Sequence, residues 1–256
     1  MPELKHHRVE STDGVARITL NRPKHNVFNI EMLQEFNALM DTLAEDTELK
    51  CVAVFGEGPS WCAGVEVGDH KPELAPDMIA TFAGMFERIH ALEVPLIAAV
   101  HGNCLGGGME LAIACDIVIA SGKAKFGQPE IKLGFFPPYA AVRLPELVGP
   151  AKAVEICTTG RIYSAELGRS LGFVSQVAEP EAFEAEVEKT IGEIAACSPL
   201  IVRMNKRAVN RCRGLAFPAA MKEINSAFLD ELMKTEDTLE GIASFEEKRR
   251  PVWKNR

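Results

Sequence analysis

Apolar positions along this chain fall into two rhythms that alternate. Val15, Ile18 and Leu20 stand in a strand-like run behind the turn pair Asp13-Gly14, so Val9 to Leu20 reads as a hairpin. Met32, Phe36, Leu39 and Leu43 follow at helical spacing, and Asn29 can cap a helix running to about Glu45. Cys51 to Phe55 is a short buried strand ended by Gly56-Glu57-Gly58-Pro59. Met78, Phe82, Met85, Phe86 and Ile89 mark one face of a helix from about Asp77 to Leu92. Pro95 precedes the strand Leu96 to Val100, the run Gly106-Gly107-Gly108 opens a short helix to Ala114, and Asp116 to Ala120 returns as a strand. This repetition of strand, helix and strand predicts α/β layering. From about Pro138 the pattern turns helical. Helix starts are expected at Pro150, Ser164, Pro180, Pro199 and Thr235, and stops at Gly149, Gly160, Gly172 and Gly214.

Length and charge narrow the picture. The 256 residues suit one large domain with a helical appendage, divided here into a core over 1–195 and a C-terminal helical region over 196–256. The net charge of −8 disfavours a nucleic-acid surface, which is usually basic. No apolar stretch approaches the roughly 20 residues of a membrane span. The start Met1-Pro2-Glu3-Leu4-Lys5-His6-His7 has no apolar signal segment. Seven cysteines, an odd count without metal-ligand spacing, predict reduced thiols and no metal site. The expectation is a soluble cytoplasmic protein with no nucleic-acid and no membrane partner.

Candidate chemistry concentrates in three segments. Ser60-Trp61-Cys62-Ala63-Gly64-Val65-Glu66 and His101-Gly102-Asn103-Cys104-Leu105-Gly106-Gly107-Gly108-Met109-Glu110-Leu111 each follow a buried strand and carry glycine where the chain turns. The second leads into a helix, whose first N–H groups are unpaired and favour negative charge. Two such N–H groups brought together would hold an oxyanion; alternatively, the glycines serve tight strand–helix packing. The run is neither a Walker loop nor a dinucleotide fingerprint. In the third segment, Ala124 to Gly134, Glu130 follows Pro129 among apolar residues, a setting that raises a carboxyl pKa towards neutrality. Glu110 sits on the first turn behind the glycines. Two carboxyls beside one oxyanion site could activate a water and deliver a proton. Cys62 has no neighbour that would make it a thiolate, Ser60 no sequence framework of a serine hydrolase, and His70 and His101 are expected to be a surface and a structural histidine.

These segments resemble the crotonase (enoyl-CoA hydratase/isomerase) superfamily over essentially the whole chain. Leu20-Asn21-Arg22-Pro23, Ala63-Gly64-Val65, Gly106 to Leu111, Phe126-Gly127-Gln128-Pro129-Glu130 and Phe245-Glu246-Glu247-Lys248-Arg249 carry the likeness in order. The resemblance implies an α/β fold of repeated ββα units, a crotonase-type superhelix, with a C-terminal helical trimerisation region and assembly to homotrimers or hexamers. It implies that the N–H groups of Val65 and Gly107 hold a thioester oxygen while Glu110 and Glu130 flank a water. Having both glutamates points to hydration or dehydration of an unsaturated acyl-CoA, rather than to isomerisation alone. Coenzyme A then enters as part of the substrate and no cofactor is bound. Substrate contacts are assigned to Arg22, Ala63, Gly64, Val65, Glu66, Val67, Gly106, Phe136 and Tyr139, with Phe245 and Lys248 on the CoA moiety.

Two departures sharpen the resemblance. Typical hydratases continue after the second glutamate with a glycine-rich stretch near Pro-Gly-Ala-Gly-Gly, whereas this chain reads Gly134-Phe135-Phe136-Pro137-Pro138-Tyr139. The usual aspartate after the first loop is Glu66 here. Both features resemble the cyclohexa-1,5-diene-1-carbonyl-CoA hydratases and imply a cyclic dienoyl substrate; a general short-chain 2-enoyl-CoA hydratase and an enoyl-CoA isomerase are the alternatives.

Overall fold

A computed structural model describes residues 4–256. The segment read for a signal peptide begins in residues 1–3, outside the described residues. Strands β1 (His7–Thr12) and β2 (Val15–Leu20) form the expected hairpin, with Asp13 and Gly14 at φ 53° and 77°. Both central residues of a type I′ turn need positive φ, which matches the twist of the flanking strands. Helix α1 (Ile30–Ala44) is capped by Asn29, whose side chain accepts the Met32 N–H at 2.9 Å.

Three units of strand, short strand and helix or turn follow. The first is β3 (Cys51–Gly56), β4 (Ser60–Cys62) and α2 (Ala75–Ala91). The second is β5 (Leu96–Val100), β6 (Asn103–Leu105) and α3 (Gly107–Ala114). The third is β7 (Ile117–Ser121), β8 (Lys125–Gly127) and a 3₁₀ turn, Pro129–Leu133. Beyond them lie α4 (Pro138–Val148), α5 (Pro150–Thr159), β9 (Ile162–Ser164), α6 (Ala165–Leu171), β10 (Gln176–Ala178) and α7 (Phe183–Ala195). The chain ends with α8 (Pro199–Arg211), α9 (Phe217–Ser226), a π-helical turn Ala227–Glu231, and α10 (Glu236–Glu246).

The longer strands make one sheet in the order β1-β2-β3-β5-β7-β10, parallel from β2 onward. Its central strands β3, β5 and β7 are largely buried on both faces, since successive side chains point to opposite sides of the sheet and each side is covered. Val52, Val54, Leu96, Ala98 and Val100 join the large core under α1, α2 and α3. Cys51, Ala53, Ile97 and Ala99 join a second core with Phe183, Val187 and Ile191 of α7. The short strands form a separate sheet, β4-β6-β8-β9, in which β4, β6 and β8 run parallel. Sequence periodicity missed this sheet, because three residues are too few to show an alternation. β10 of the large sheet, also three residues long and in the stretch read as helical, was missed for the same reason; at helix ends, α7 starts at Phe183 rather than at Pro180, and α8 ends at Arg211, before Gly214.

The C-terminal segment is tied back onto the core. Lys206 of α8 is buried and donates to the Val94 carbonyl at 2.9 Å and to Asp116 at 2.7 Å. Asp237, 1 % exposed, accepts from the Ser198 hydroxyl and from the N–H groups of Lys254 (2.7 Å) and Asn255 (3.0 Å). Trp253 Nε1 donates to the Ala196 carbonyl at 2.8 Å.

Candidate active site

The three chemistry-bearing segments leave the C-terminal ends of β4, β6 and β8, adjacent parallel strands of the small sheet. Cys62 pairs with Cys104, and Leu105 with Gly127, so residues 63–65, 106–107 and 128–130 emerge side by side. Strand ends are where an α/β sheet leaves backbone groups free for a ligand.

The first loop is pinned through Phe28. Its N–H donates to the Gly64 carbonyl and its carbonyl accepts the Glu66 N–H, at 2.8 and 2.7 Å. In this parallel bridge Val65 points its own N–H the other way, and that group has no acceptor among the described residues. Gly107 is the first residue of α3, and its N–H likewise has none. The two loops touch: a Cβ at Gly107 would lie 2.6 Å from Val65 Cγ2.

The three glycines do different work. Gly106 has φ 55°, and a Cβ there would sit 2.4 Å from Glu130 Oε1. Gly107 leaves room beside Val65 and Phe82. Gly108 packs against backbone, since its Cβ would meet the Cys62 carbonyl oxygen at 2.2 Å. Gly108 thus serves the tight strand–helix packing that the sequence allows for, while Gly107 keeps an N–H without an acceptor among the described residues.

Glu110, on the first turn of α3, is 2 % exposed. Its Oε1 accepts the N–H groups of Tyr139 at 2.7 Å and Ala140 at 2.9 Å, which are at the start of α4. Burial nevertheless dominates and lifts its pKa to about 8; the two N–H bonds oppose the shift, and Glu130 adds to it. Glu130, half-buried on the 3₁₀ turn, is lifted to about 7, again by burial. With its amide oriented to donate, buried Gln128 reaches both Glu130 oxygens at 3.1 Å. The carboxyls thus titrate near neutrality as an interacting pair.

Glu110, Glu130, Val65, Gly106 and Gly107 line one cavity of about 580 Å³. Its apolar lining comes from Ala63, from Met78, Ile79 and Phe82 of α2, and from the run that holds Leu133, Phe135, Phe136, Pro137 and Pro138. Besides the two glutamates, His70 and Lys132 are the ionisable side chains in the wall. His70 is half-buried and lines the cavity. Its Nδ1 bonds the Glu66 carbonyl at 2.9 Å, and its ring lies 4.7 Å from Phe135. Phe82, Met78 and Ile79 carry the helical spacing of core residues, and nothing in the sequence marks them as wall.

Gly64 and Val67 also line the cavity, but several expected contact residues lie outside it. Arg22 bonds the Val27 carbonyl at 2.7 Å and pairs with Glu66 at 3.2 Å, so these two hold the first loop instead of facing the cavity. Tyr139 presents its backbone to Glu110 and stacks its ring on Phe86. Phe245 is 85 % exposed, and neither it nor Lys248 is in the cavity wall. Arg249 is held by Glu240 and Glu247. Ser60 lies 2.9 Å from His25 Nδ1, but it is fully buried, so no substrate can reach it. Burial pushes the Cys62 thiol up to about 12, which keeps it unreactive. His101 bonds the Gly58 carbonyl at 2.9 Å, a structural role.

Residues 10–256 match the enoyl-CoA hydratase/isomerase family. A probable enoyl-CoA hydratase of Mycobacterium tuberculosis is 35% identical over 254 residues, covering 97% of both chains. A cyclohexa-1,5-dienecarbonyl-CoA hydratase of Thauera aromatica is 33% identical over 250 residues, covering 97% of this chain and 96% of its own. The crystal structure of an enoyl-CoA hydratase from Bacillus anthracis superposes with a TM-score of 0.93 at 29% identity, covering 98% of this chain and all of that one.

Proposed function

Because the chain belongs to the enoyl-CoA hydratase/isomerase family, we propose that it is a hydro-lyase that adds water to a conjugated unsaturated acyl-CoA, with a cyclic dienoyl-CoA as its preferred substrate. One observation carries this reading: a buried and a half-buried carboxyl, both with raised pKa values, share a cavity with the N–H groups of Val65 and Gly107, which have no acceptor among the described residues. In the forward direction the ionised carboxyl of the pair takes a proton from water. The water oxygen bonds to the β carbon, and electron density moves into the thioester carbonyl. Its oxygen is held by the N–H groups of Val65 and Gly107, a contact that strengthens as charge develops. The protonated carboxyl returns a proton to carbon: the α carbon of a simple enoyl group, or the far end of a diene. A pair sharing about one proton near neutral pH supplies base and acid at once.

The cyclic preference rests on the wall beside Glu130. Phe135, Phe136, Pro137 and Pro138 give it flat, stiff, apolar surfaces. A planar ring has no rotamer freedom left to lose, so more of its burial survives as binding than for a flexible chain. CoA enters with the substrate, and the reaction needs no resident cofactor. The region 196–256 is assigned to self-association into a trimer or hexamer, supported by apolar side chains exposed there, among them Phe217 at 78 % and Phe245 at 85 %. Phe245 and Lys248 would then meet CoA in a neighbouring subunit. Seven unpaired cysteines fit a reducing compartment, the cytoplasm. No helix among the described residues is long and apolar enough to cross a membrane. The test compares kcat/KM for cyclohexa-1,5-diene-1-carbonyl-CoA and crotonyl-CoA. The ring should win by at least about tenfold; equal or better turnover of crotonyl-CoA would remove the cyclic preference and leave a general short-chain hydratase.

A further inference from the structure

Tyr139 joins three contacts that the proposed reaction does not itself use. Its ring is stacked on Phe86, with centroids 3.8 Å apart and planes 7° from parallel. Its hydroxyl lies 3.0 Å from His90 Nε2. Its backbone N–H donates to Glu110 Oε1 at 2.7 Å. Phe86 and His90 are four residues apart on α2, so one helix face grips both the ring and its hydroxyl. Phe86 is itself locked edge-on against Phe82, at 4.8 Å and 80°.

The local sequence makes this grip consequential. Pro137 and Pro138 begin α4, and proline carries no N–H. The N–H groups of Tyr139 and Ala140 are the first that the helix offers, and both go to one oxygen of Glu110. The first turn of a helix is otherwise free to fray, since no carbonyl of its own holds its N–H groups. A side chain anchored on a neighbouring helix removes that freedom. Tyr139 is absent from the cavity wall, and its ring lies against Phe86 instead.

We propose that Tyr139 is a positioning residue for Glu110: Phe86 and His90 hold its side chain so that its N–H keeps the carboxyl aimed into the cavity. The proposal rests on Glu110 being the catalytic carboxyl. The ionisable groups facing that carboxyl are Glu130 on the 3₁₀ turn and Cys157 on α5; those around His90 are Arg143, Lys206, Arg213 and Asp116.

The test measures kcat, KM and the pH dependence of hydration for Tyr139→Ala, Tyr139→Leu and Tyr139→Phe. The leucine variant keeps apolar bulk against Phe86 and serves where alanine fails to fold. Loss of the stacked ring should lower kcat about tenfold with KM within about twofold, because small misplacements at the reacting centre are costly. The alkaline limb of the profile, set by the higher pKa of the pair, should move up by about half to one pH unit, since a carboxylate that loses a well-aligned N–H becomes harder to ionise. Tyr139→Phe, which keeps the stack, should recover most of the lost rate. Unchanged kcat and pH profile in folded Tyr139→Leu, or a change confined to KM, would overturn the proposal. Normal turnover in Glu110→Gln would instead overturn the reaction assigned to Glu110, whatever Tyr139 does.

Discussion

Glu110 and Glu130 are kept where ionisation is costly, and that cost has two measurable consequences. Replacing either by glutamine should lower kcat by at least about 10²-fold, the usual scale for a general acid or base. The double variant should lose far less than the product of the single losses, because residues acting as a unit are not additive. The second consequence concerns stability. Both folded pKa values, about 8 and about 7, stand above the ordinary 4.5. Between those limits the folded protein binds more protons than the unfolded chain, so stability falls as pH rises through that window. Glu110→Gln removes one ionisation, while its amide oxygen can still accept from Tyr139 and Ala140. It should therefore be more stable than the native protein at alkaline pH by about 1–3 kcal/mol, the difference vanishing below about pH 5. Urea unfolding across pH checks the sign; a variant less stable at alkaline pH would mean that Glu110 is not under strain. The native enzyme should show a bell-shaped kcat/KM profile whose limbs belong to the pair and fall near pH 7 and 8.

Among the elements, the small sheet decides where the chemistry sits, and it was the part least legible in the sequence. The long strands and helices announced themselves: Asp13-Gly14, Asn29 and the apolar runs at 51–55 and 96–100 all fall where the structure uses them. Glu110, Glu130, Val65 and Gly107 were legible through their motifs, and the cavity gathers all four. Strands β4, β6 and β8 have three residues each, so no period could reveal them, although they bring the motifs together. A different limit hides the places of Arg22, Glu66 and Tyr139. Their residue types suit ligand contact, but tertiary neighbours engage their side chains: Arg22 and Glu66 pair with each other, and Tyr139 stacks on Phe86. The glycine run tests this level directly. Gly107→Pro removes an N–H donor and should cost roughly 10²–10³ in rate, provided circular dichroism reports a folded protein. Gly108→Ala pushes a methyl into the Cys62 backbone and should lower stability before it touches the chemistry. A folded Gly107→Pro with normal kcat would reduce that residue to packing.

For the whole molecule, the C-terminal region is tied into the fold, and the proposed function assigns self-association to the same residues. Residues 253–255 bond Ala196 and Asp237, so this tail is part of the packed structure and not a loose appendage. Deleting everything after Ser244 leaves buried Asp237 without its two backbone donors, and should lower thermal stability as well as weaken self-association and raise KM for acyl-CoA. Light scattering that returns an unchanged mass, with an unchanged melting curve and KM, would contradict this. The expectations about rate all depend on water addition at the cavity lined by Glu110 and Glu130. The most direct test incubates the purified protein with cyclohexa-1,5-diene-1-carbonyl-CoA, and separately with crotonyl-CoA, in heavy-oxygen water and follows the product by mass spectrometry. The native protein should place one solvent oxygen in the product, and Glu110→Gln and Glu130→Gln should do so at least about 10²-fold more slowly. A product that carries no solvent oxygen, or glutamine variants that label it at the native rate, would contradict the account.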